Sequence, residues 1–329
     1  ITCRDWSSDV CSSDLDWPQH SDSDTNGYAA GCFNQNIAAG DMNKDGRVEI
    51  IGSNDTHYTA AFYPNGSQVA ASTIYGTFPG GLPKPWSRVG MHVSHEVDMR
   101  GYAHCGTDHR PNFAHSPPLL ADLDNNGVLE LVLVGNVYNC ATNPYTSLYE
   151  MPFIFNQDRT RWSNASYNWT DIPVPDGAAA PRSDNYNVIE SSHPVPVVAD
   201  LDGDGIQEIL YPSYDGRMHA YWLDKTEHGN WPYSVTKSIE SFLRFASPPV
   251  IADLDNDGHA EVIFASWVQK DTHQTGYLHM LDYLGNPLHE IKLPAAFGSP
   301  TWNGVLASPT LANIDSDADL EVVLTSAHS

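Results

Sequence analysis

The chain has 329 residues, a length that predicts about two domains at roughly 150 residues each. Its 16 Lys and Arg oppose 41 Asp and Glu, and the formal charge of −25 argues against nucleic acids and anionic membranes as partners. The 41% hydrophobic share is sufficient for a packed core, and no apolar run reaches the roughly 18 residues of a membrane span. The 24 Gly and 23 Pro predict many turns rather than long helices.

The first residues are interpreted separately from the rest. Residues 5–15, DWSSDVCSSDL, match the in-frame translation of a common sequencing adapter at all eleven positions, whereas the alternative is a genuine Ser/Asp-rich linker. We therefore exclude residues 1–15 from the fold as an assembly artefact, together with Cys3 and Cys11. On this interpretation we expect the natural N-terminus and any signal peptide to precede the chain.

An acidic segment of nine residues recurs five times after residue 15. The five acidic loops, numbered in chain order, are residues 41–49, 122–130, 200–208, 253–261 and 313–321. Their first residues are 81, 78, 53 and 60 residues apart, and a glutamate always occupies position nine. The third loop, DLDGDGIQE, shows the pattern most clearly, whereas the fifth has Asn313 at position one and Ala318 in place of the glycine at position six.

The segments around each loop predict short buried strands. An apolar run such as residues 116–121 or 247–252 precedes the loop, often after Ser-Pro, and a second run such as residues 262–264 follows it. Two more strands often follow, as in residues 276–293, where Gly285-Asn286 predicts a hairpin turn. Four strands per repeat predict an all-β protein, a β-propeller of four-stranded blades. The motif-bearing units are residues 33–115, 116–190, 191–245, 246–304 and 305–329.

The pattern D-x-D-x-D-G-x-x-E between two short strands resembles the FG-GAP/VCBS repeats of integrin-α-like propellers. The resemblance covers residues 16–329 and implies a calcium ion in each acidic loop. Because such propellers usually have seven or eight blades, it also implies that the chain contains about five blades and that the propeller is truncated at both ends. The family varies widely in function, so the resemblance predicts architecture better than activity.

The loop chemistry itself favours a hard cation. Alternating carboxylates direct several oxygens to one centre, and oxygen-only ligands suit calcium rather than zinc. An EF-hand is excluded because position twelve, for example Tyr211, is not glutamate and the flanking segments are strands. The resemblance adds the carbonyl of position seven as a ligand. The expected ligands at positions one, three, five, seven and nine are Asp41, Asn43, Asp45, Arg47, Glu49, Asp122, Asp124, Asn126, Val128, Glu130, Asp200, Asp202, Asp204, Ile206, Glu208, Asp253, Asp255, Asp257, His259, Glu261, Asn313, Asp315, Asp317, Asp319 and Glu321.

We expect four to five structural calcium ions, and the fifth site is the weakest because Asn313 removes a charge and Ala318 resists the required turn. The alternative is that these segments are plain Asp-Gly turns without metal. Crowding of so many carboxylates destabilises a fold unless cations neutralise them, which favours the calcium interpretation.

Two insertions and two cysteines leave alternatives open. Residues 92–115 collect His, Cys, Asp and Glu and predict either a transition-metal site or an irregular segment with local hydrogen bonds. The aromatic residues of segment 138–183 either stack on sugars or pack the insertion onto its blade. In an exported protein, Cys105 and Cys140 either pair across neighbouring strands or stay unpaired. No Ser-His-Asp or Cys-His spacing indicates a nucleophile with its base.

Three functional hypotheses follow. The first is a non-catalytic extracellular, cell-surface or periplasmic propeller, rigidified by calcium, that binds a protein or glycan partner in adhesion. The second is a polysaccharide lyase, since some calcium-loop propellers resemble rhamnogalacturonan lyases. The third is a structural spacer in a larger surface protein or fibre. No direct membrane insertion and no nucleic-acid partner are expected.

Overall fold

The computed structural model describes residues 36–53, 58–83, 86, 89–90, 113, 116–138, 148–175, 194–269, 272–296, 302–317 and 320–326. Contacts divide the chain into two units, Ile1–Asp176 and Gly177–Ser329. In the described residues every regular element is a β-strand except one 3-10 turn at Thr73–Tyr75, so the all-β prediction is confirmed. The same residues contain no helix of the length and hydropathy that a membrane crossing requires.

Unit 1 contains two antiparallel sheets. Its strands are Ala38–Gly40 (β1), Glu49–Ser53 (β2), Tyr58–Phe62 (β3), Val89–Gly90 (β4), Leu119–Ala121 (β5), Glu130–Tyr138 (β6) and Leu148–Phe155 (β7). The first sheet has the order β1-β2-β3-β4 and the second β5-β6-β7, so spatial order follows chain order. The described core of this unit is rich in aromatic residues, among them Trp86, Phe113, Phe153 and Trp169, which are all at most 1% exposed.

Unit 2 repeats the same arrangement. Its strands are Val197–Ala199 (β8), Glu208–Ser213 (β9), Arg217–Tyr221 (β10), Tyr233–Ser234 (β11), Arg244–Ala246 (β12), Val250–Ala252 (β13), Glu261–Val268 (β14), Tyr277–Leu281 (β15), Pro287–Lys292 (β16), Thr310–Ala312 (β17) and Glu321–Val323 (β18). One sheet has the order β8-β9-β10-β11, the next has β12 and β13 against β14 followed by β15 and β16, and β17 pairs with β18.

The strand β14 has two short partners along one edge. β13 pairs with Glu261–Ile263 and β12 with Ser266–Val268. Pro248 and Pro249 lie between the two partners, and proline has no N–H to donate to a ladder. One continuous strand is therefore divided into two at this point.

All five acidic loops connect two strands in the same register. The residue before position one pairs with the glutamate at position nine in every case: Gly40 with Glu49, Ala121 with Glu130, Ala199 with Glu208, Ala252 with Glu261, and Ala312 with Glu321. Each second strand therefore begins at its glutamate, and the side chain of that residue lies at the mouth of the loop.

The strands β9 and β14, in the middle of the two larger sheets of unit 2, are almost entirely buried. Every residue of β9 is buried, as are the first six residues of β14. Leu201 and Leu210 of one sheet join Val262 and Phe264 of the next in a single hydrophobic cluster. Unit 2 thus stacks two successive sheets face to face, with the edge strand β16 exposed along its whole length.

Antiparallel order also fixes which loops lie together. Successive connections alternate between the two ends of a sheet, so the acidic loop and the turn between the third and fourth strands share one end. The hairpin predicted at Gly285-Asn286 is confirmed: β15 pairs with β16, and Gly285 adopts a left-handed φ of 78°. A closed propeller and its blade number remain predictions.

Candidate metal centres

The first four acidic loops close on the carboxylate at position one. The two oxygens of Asp200 accept the backbone N–H groups of Asp204 at 3.1 Å and Gly205 at 2.9 Å. The position-one aspartates of the first, second and fourth loops accept the equivalent pairs. Gly205 has a φ of 87°, and the three other position-six glycines also lie in the left-handed region, as predicted.

Position four is a feature that the sequence interpretation missed. Lys44, Asn125, Gly203 and Asn256 all have a positive φ, between 58° and 75°. Three of these residues are Asn or Gly, the types that tolerate this conformation, and that preference is the signal that could have revealed it.

The position-nine glutamate, which begins the strand after the loop, accepts a hydrogen bond from the start of the loop. In all five loops its Oε2 atom accepts the N–H of position two, at 2.7 to 3.0 Å. Glu208 is fully buried, and its other oxygen, Oε1, has no hydrogen-bond partner. A buried carboxylate oxygen without a donor is costly unless a cation is its partner.

Four of the loops bring three carboxylates together. One ligand oxygen from each of three residues lies within 4.8 Å of the others in the groups Asp122-Asp124-Glu130, Asp200-Asp202-Glu208, Asp253-Asp255-Glu261 and Asp315-Asp317-Glu321. The first loop, with Asn43 at position three, forms no such group among the residues that the structure describes. There the amide of Asn43 donates to Asp45 at 3.2 Å.

The side chain at position five accepts a backbone hydrogen bond within the loop. In the third loop Oδ1 of Asp204 accepts the N–H of Ile206 at 2.7 Å, and Asp45, Asn126 and Asp257 make the same bond. Asp204 and Asp257 lie outside the three-carboxylate groups. The ligand roles of position five and of the carbonyls of Arg47, Val128, Ile206 and His259 remain predictions, while Ala318 and Asp319 lie outside the described residues.

The electrostatics of the loops favour a cation. Burial, reinforced by the neighbouring aspartates, raises the pKa of Glu208 to about 8 and that of Glu130 to about 7. Burial also raises the pKa of Glu49 and of Glu261. A divalent ion beside these oxygens reverses that effect, because it stabilises the ionised carboxylate.

Residues 200–264, which contain the third and fourth loops with β9 to β13 and part of β14, match the family model of the FG-GAP-like repeat. The resemblance predicted from the sequence is confirmed. The other loops share the register and the glutamate hydrogen bond of these two, although the family model matches only residues 200–264.

Comparisons with whole proteins are much weaker. No curated protein matches the chain. The biofilm matrix protein Bap1 of V. cholerae is 14% identical, with a TM-score of 0.32, over 78% of this chain and 38% of the length of Bap1. An endo-arabinase from Bacteroides thetaiotaomicron is 10% identical, with a TM-score of 0.36, over 90% of this chain and 94% of the enzyme. Likenesses at this level carry no functional argument.

Side chains from the turn after the third strand hold some of the loops. In the second loop Asn164 donates to Oδ2 of Asp124 at 2.7 Å, and in the third the indole N–H of Trp222 donates to Oδ2 of Asp202 at 3.0 Å. Next to the fourth loop the ring of His259 stacks on Tyr283, with centroids 4.2 Å apart. These supports lie 20 to 40 residues from the loops in sequence, so the motif alone does not reveal them.

Most of the described aromatic residues of segment 138–183 are buried. Phe153, Phe155, Trp162 and Trp169 are at most 2% exposed, which favours the structural alternative for these residues. Of the other segments, the stretch 92–115 is described only at Phe113, and Cys105 and Cys140 lie outside the described residues.

Ser266, His279 and Glu290 follow one another in the order of a catalytic triad, but the serine hydroxyl is not accessible to a substrate. Nε2 of His279 lies 3.1 Å from Oγ of Ser266, and Nδ1 lies 3.8 Å from Glu290. Ser266 is fully buried, and its Oγ accepts the N–H of Tyr277. A nucleophile needs room for substrate and a free hydroxyl, so this group stabilises the sheet instead.

Proposed function

We propose that this chain is the calcium-stabilised, non-catalytic propeller segment of an extracellular or cell-surface protein that binds a protein or glycan partner. The observation that carries the proposal is the third loop. Three carboxylates converge there within 4.8 Å, and one oxygen of the fully buried Glu208 has no partner. Oxygen-only ligands of this charge fit Ca²⁺ rather than a transition metal.

In this proposal the ions are structural. Asp200, Asp202 and Glu208 would hold the ion of the third loop, and the equivalent residues would hold those of the second and fourth. In the fifth loop, where position one is Asn313, the ion would be held by Asp315, Asp317 and Glu321. The bound ion supplies positive charge only. The chain positions its ligands through the register of the strands, the N–H groups of positions five and six, and the N–H of position two.

The propeller and its location follow from the repeat. Sheets of four antiparallel strands in chain order, each with one acidic loop, are typical of propeller blades. FG-GAP-like repeats usually occur in extracellular proteins, where millimolar calcium fills sites of low affinity. The polysaccharide lyase and the structural spacer remain hypotheses, because no observation favours them over binding.

The partner would contact the long connections. The first two repeats are 81 and 78 residues long, against 53 and 60 for the next two, so each carries roughly 20 to 30 additional residues. Long connections on a rigid scaffold are the usual place for recognition. The net charge of −25 favours a neutral glycan or a basic protein surface over a polyanion.

Thermal unfolding of the full chain with calcium and with chelator, combined with metal analysis, tests the proposal. Ions that bind only the folded state raise the unfolding midpoint, and a thousandfold excess over Kd adds about 4 kcal/mol per site. We expect several Ca²⁺ per chain and a large calcium-dependent rise of the midpoint. A folded chain with no bound metal and no rise would contradict the proposal.

A pair of isosteric variants localises the effect. Glu208→Gln keeps an acceptor for the N–H of Leu201 but removes the charged oxygen. Asp224→Asn removes one charge from a nearby turn while keeping its acceptor for the N–H of Thr226. Glu208→Gln should lower the calcium stoichiometry by one, and Asp224→Asn should leave it unchanged. An equal loss in both variants would indicate nonspecific binding to acidic surface.

A further inference from the structure

Leu201, at position two of the third loop, forms hydrogen bonds with both the third and the fourth loop. Its N–H donates to Oε2 of Glu208 at 2.7 Å within the third loop. Its carbonyl accepts the N–H of Ala260, in the fourth loop, at 2.9 Å. Leu201 is fully buried, so its position is fixed by packing as well as by these two bonds. A displacement of the fourth loop therefore reaches the glutamate of the third through one residue.

A second contact joins the same loops. A Cβ atom on Gly203 would lie 2.5 Å from the carbonyl oxygen of Gly258, a distance that real Cβ atoms do not adopt. The turn itself does not require glycine at this position, because Asn125 and Asn256 occupy position four of other loops with similar φ. The requirement for glycine at 203 thus comes from the close approach of the fourth loop.

We propose that the third and fourth loops bind calcium as a coupled pair, with Leu201 as the positioning residue between them. This inference rests on the proposed function. An ion in the fourth loop would fix the backbone around Gly258 and Ala260, and these two residues hold Leu201 and face Gly203. The third loop would then lose less conformational entropy when it binds its ion, so its calcium affinity would be higher. Thermodynamic linkage requires that an ion in the third loop raises the affinity of the fourth by the same factor.

Trp222 provides a readout that is specific for the third loop. Its indole N–H donates to Asp202 at 3.0 Å, so its resonance should shift when the third loop binds an ion. The chain is labelled with fluorotryptophan and titrated with calcium while fluorine NMR is recorded. The Trp222 signal, among the 9 tryptophans, is assigned from the spectrum of Trp222→Phe. Ionic strength at or above about 0.15 M screens direct repulsion between the two ions.

The decisive variant weakens calcium binding at the fourth loop, and the Trp222 signal measures the effect on binding at the third. Glu261→Gln keeps the acceptor for the N–H of Leu254. It should raise the calcium midpoint of the Trp222 signal about fivefold or more, the range of ordinary coupling between sites. Asp255→Asn, at an exposed ligand position, serves as a second variant if Glu261→Gln does not fold. Glu130→Gln, which alters the second loop, is the matched control and should leave the midpoint unchanged.

Gly203→Asn then tests the contact itself. Asparagine tolerates the left-handed turn, but its Cβ collides with the carbonyl of Gly258. In this background Glu261→Gln should shift the midpoint less than about twofold, since the coupling is already lost. A Trp222 midpoint that ignores Glu261→Gln overturns the inference alone. A wild-type chain that binds no calcium overturns the proposed function with it.

Discussion

The first and second acidic loops meet differently from the third and fourth. In both pairs position four of the earlier loop lies close to position six of the later one. In the first pair Gly40 lies close to the side chain of Leu129, and the polar contact is the ammonium of Lys44, which lies 3.4 Å from the carbonyl oxygen of Asn126. In the second pair it is the backbone itself, through Gly203, Gly258 and the bond from Ala260 to Leu201. A flexible exposed side chain transmits little, whereas a buried backbone bond moves both loops together.

The supports of the two middle loops differ in the same way. Asp124 in unit 1 is held by Asn164, an exposed residue, whereas Asp202 in unit 2 is held by Trp222, which is 6% exposed and belongs to the core cluster. The position-three aspartate of the same repeat can therefore be held either by an exposed side chain or by a side chain of the hydrophobic core. We expect the calcium affinity of each loop to depend on which of these supports it has.

Replacing these two supports should give the largest difference. Trp222→Ala removes a buried indole as well as the bond to Asp202, so we expect it to lower the free energy of unfolding by about 3–5 kcal/mol. Asn164→Ala removes only exposed hydrogen bonds and should cost about 1 kcal/mol. Chemical denaturation of both variants in chelator and in calcium measures the difference.

The calcium dependence separates packing from ligand support. Trp222→Phe retains most of the buried volume, so its remaining loss of calcium affinity reports the hydrogen bond to Asp202 alone. If Asn164→Ala destabilised the chain as much as Trp222→Ala, the distinction between an exposed support and a support from the core would be wrong.

The local structure of the loops could be predicted from the sequence because it is local chemistry. The spacing of Asp, Gly and Glu dictates which N–H groups the carboxylates reach, and the strands on either side follow from the apolar runs. Even the hairpin at Gly285 follows from two residues. The contacts between loops could not be predicted in this way, because Leu201 and Ala260 are 59 residues apart and hydrophobic in type.

Position five shows a second limit of the motif. An alternating series of aspartates predicts that positions one, three and five act alike. The structure gives Asp204 to the N–H of Ile206 and groups Asp200 and Asp202 with Glu208. In the fifth loop the position-five residue Asp317 instead belongs to the group, with Asp315 and Glu321. Spacing alone therefore does not fix which aspartates come together in a given loop.

Acid should weaken unit 2 through one buried histidine. Burial lowers the pKa of His279 to about 4, below the ordinary value of 6.5. The unfolded chain therefore takes up a proton as the pH falls through 6.5, whereas the folded chain does so only near pH 4. The contribution of His279 to stability should fall by about 3 kcal/mol across this window and not further below it, whereas Glu208, whose pKa is raised, contributes in the opposite direction as the pH falls. The effect of His279 is therefore the difference between the wild type and His279→Gln. Denaturation of the wild type and of His279→Gln at several pH values measures the difference.

A second buried histidine, His219, has a raised pKa and is not expected to contribute to the acid sensitivity between pH 6.5 and 4. Burial alone would lower the pKa of His219, but the carboxylates of Glu227 and Asp215 raise it to about 10. Its contribution to stability is fully present below pH 6.5 and is lost as the pH rises through 10. Acid sensitivity between pH 6.5 and 4 that persisted in His279→Gln would show that other groups cause it.

The smallest effect is expected at Lys44, where the first pair of loops meets. Lys44→Met keeps the length of the side chain but removes the positive charge beside Asn126 and Gly127. Calcium affinity at the second loop should increase, because a cation no longer faces the incoming ion, but by less than about threefold, since a typical exposed charge pair contributes about 0.5 kcal/mol. Lys44→Arg keeps the charge and should leave the affinity unchanged. An increase in affinity that persisted at about 1 M salt would not be electrostatic. A change as large as that expected at the third loop for Glu261→Gln would mean that the lysine contact couples the first and second loops as strongly as the backbone contact couples the third and fourth.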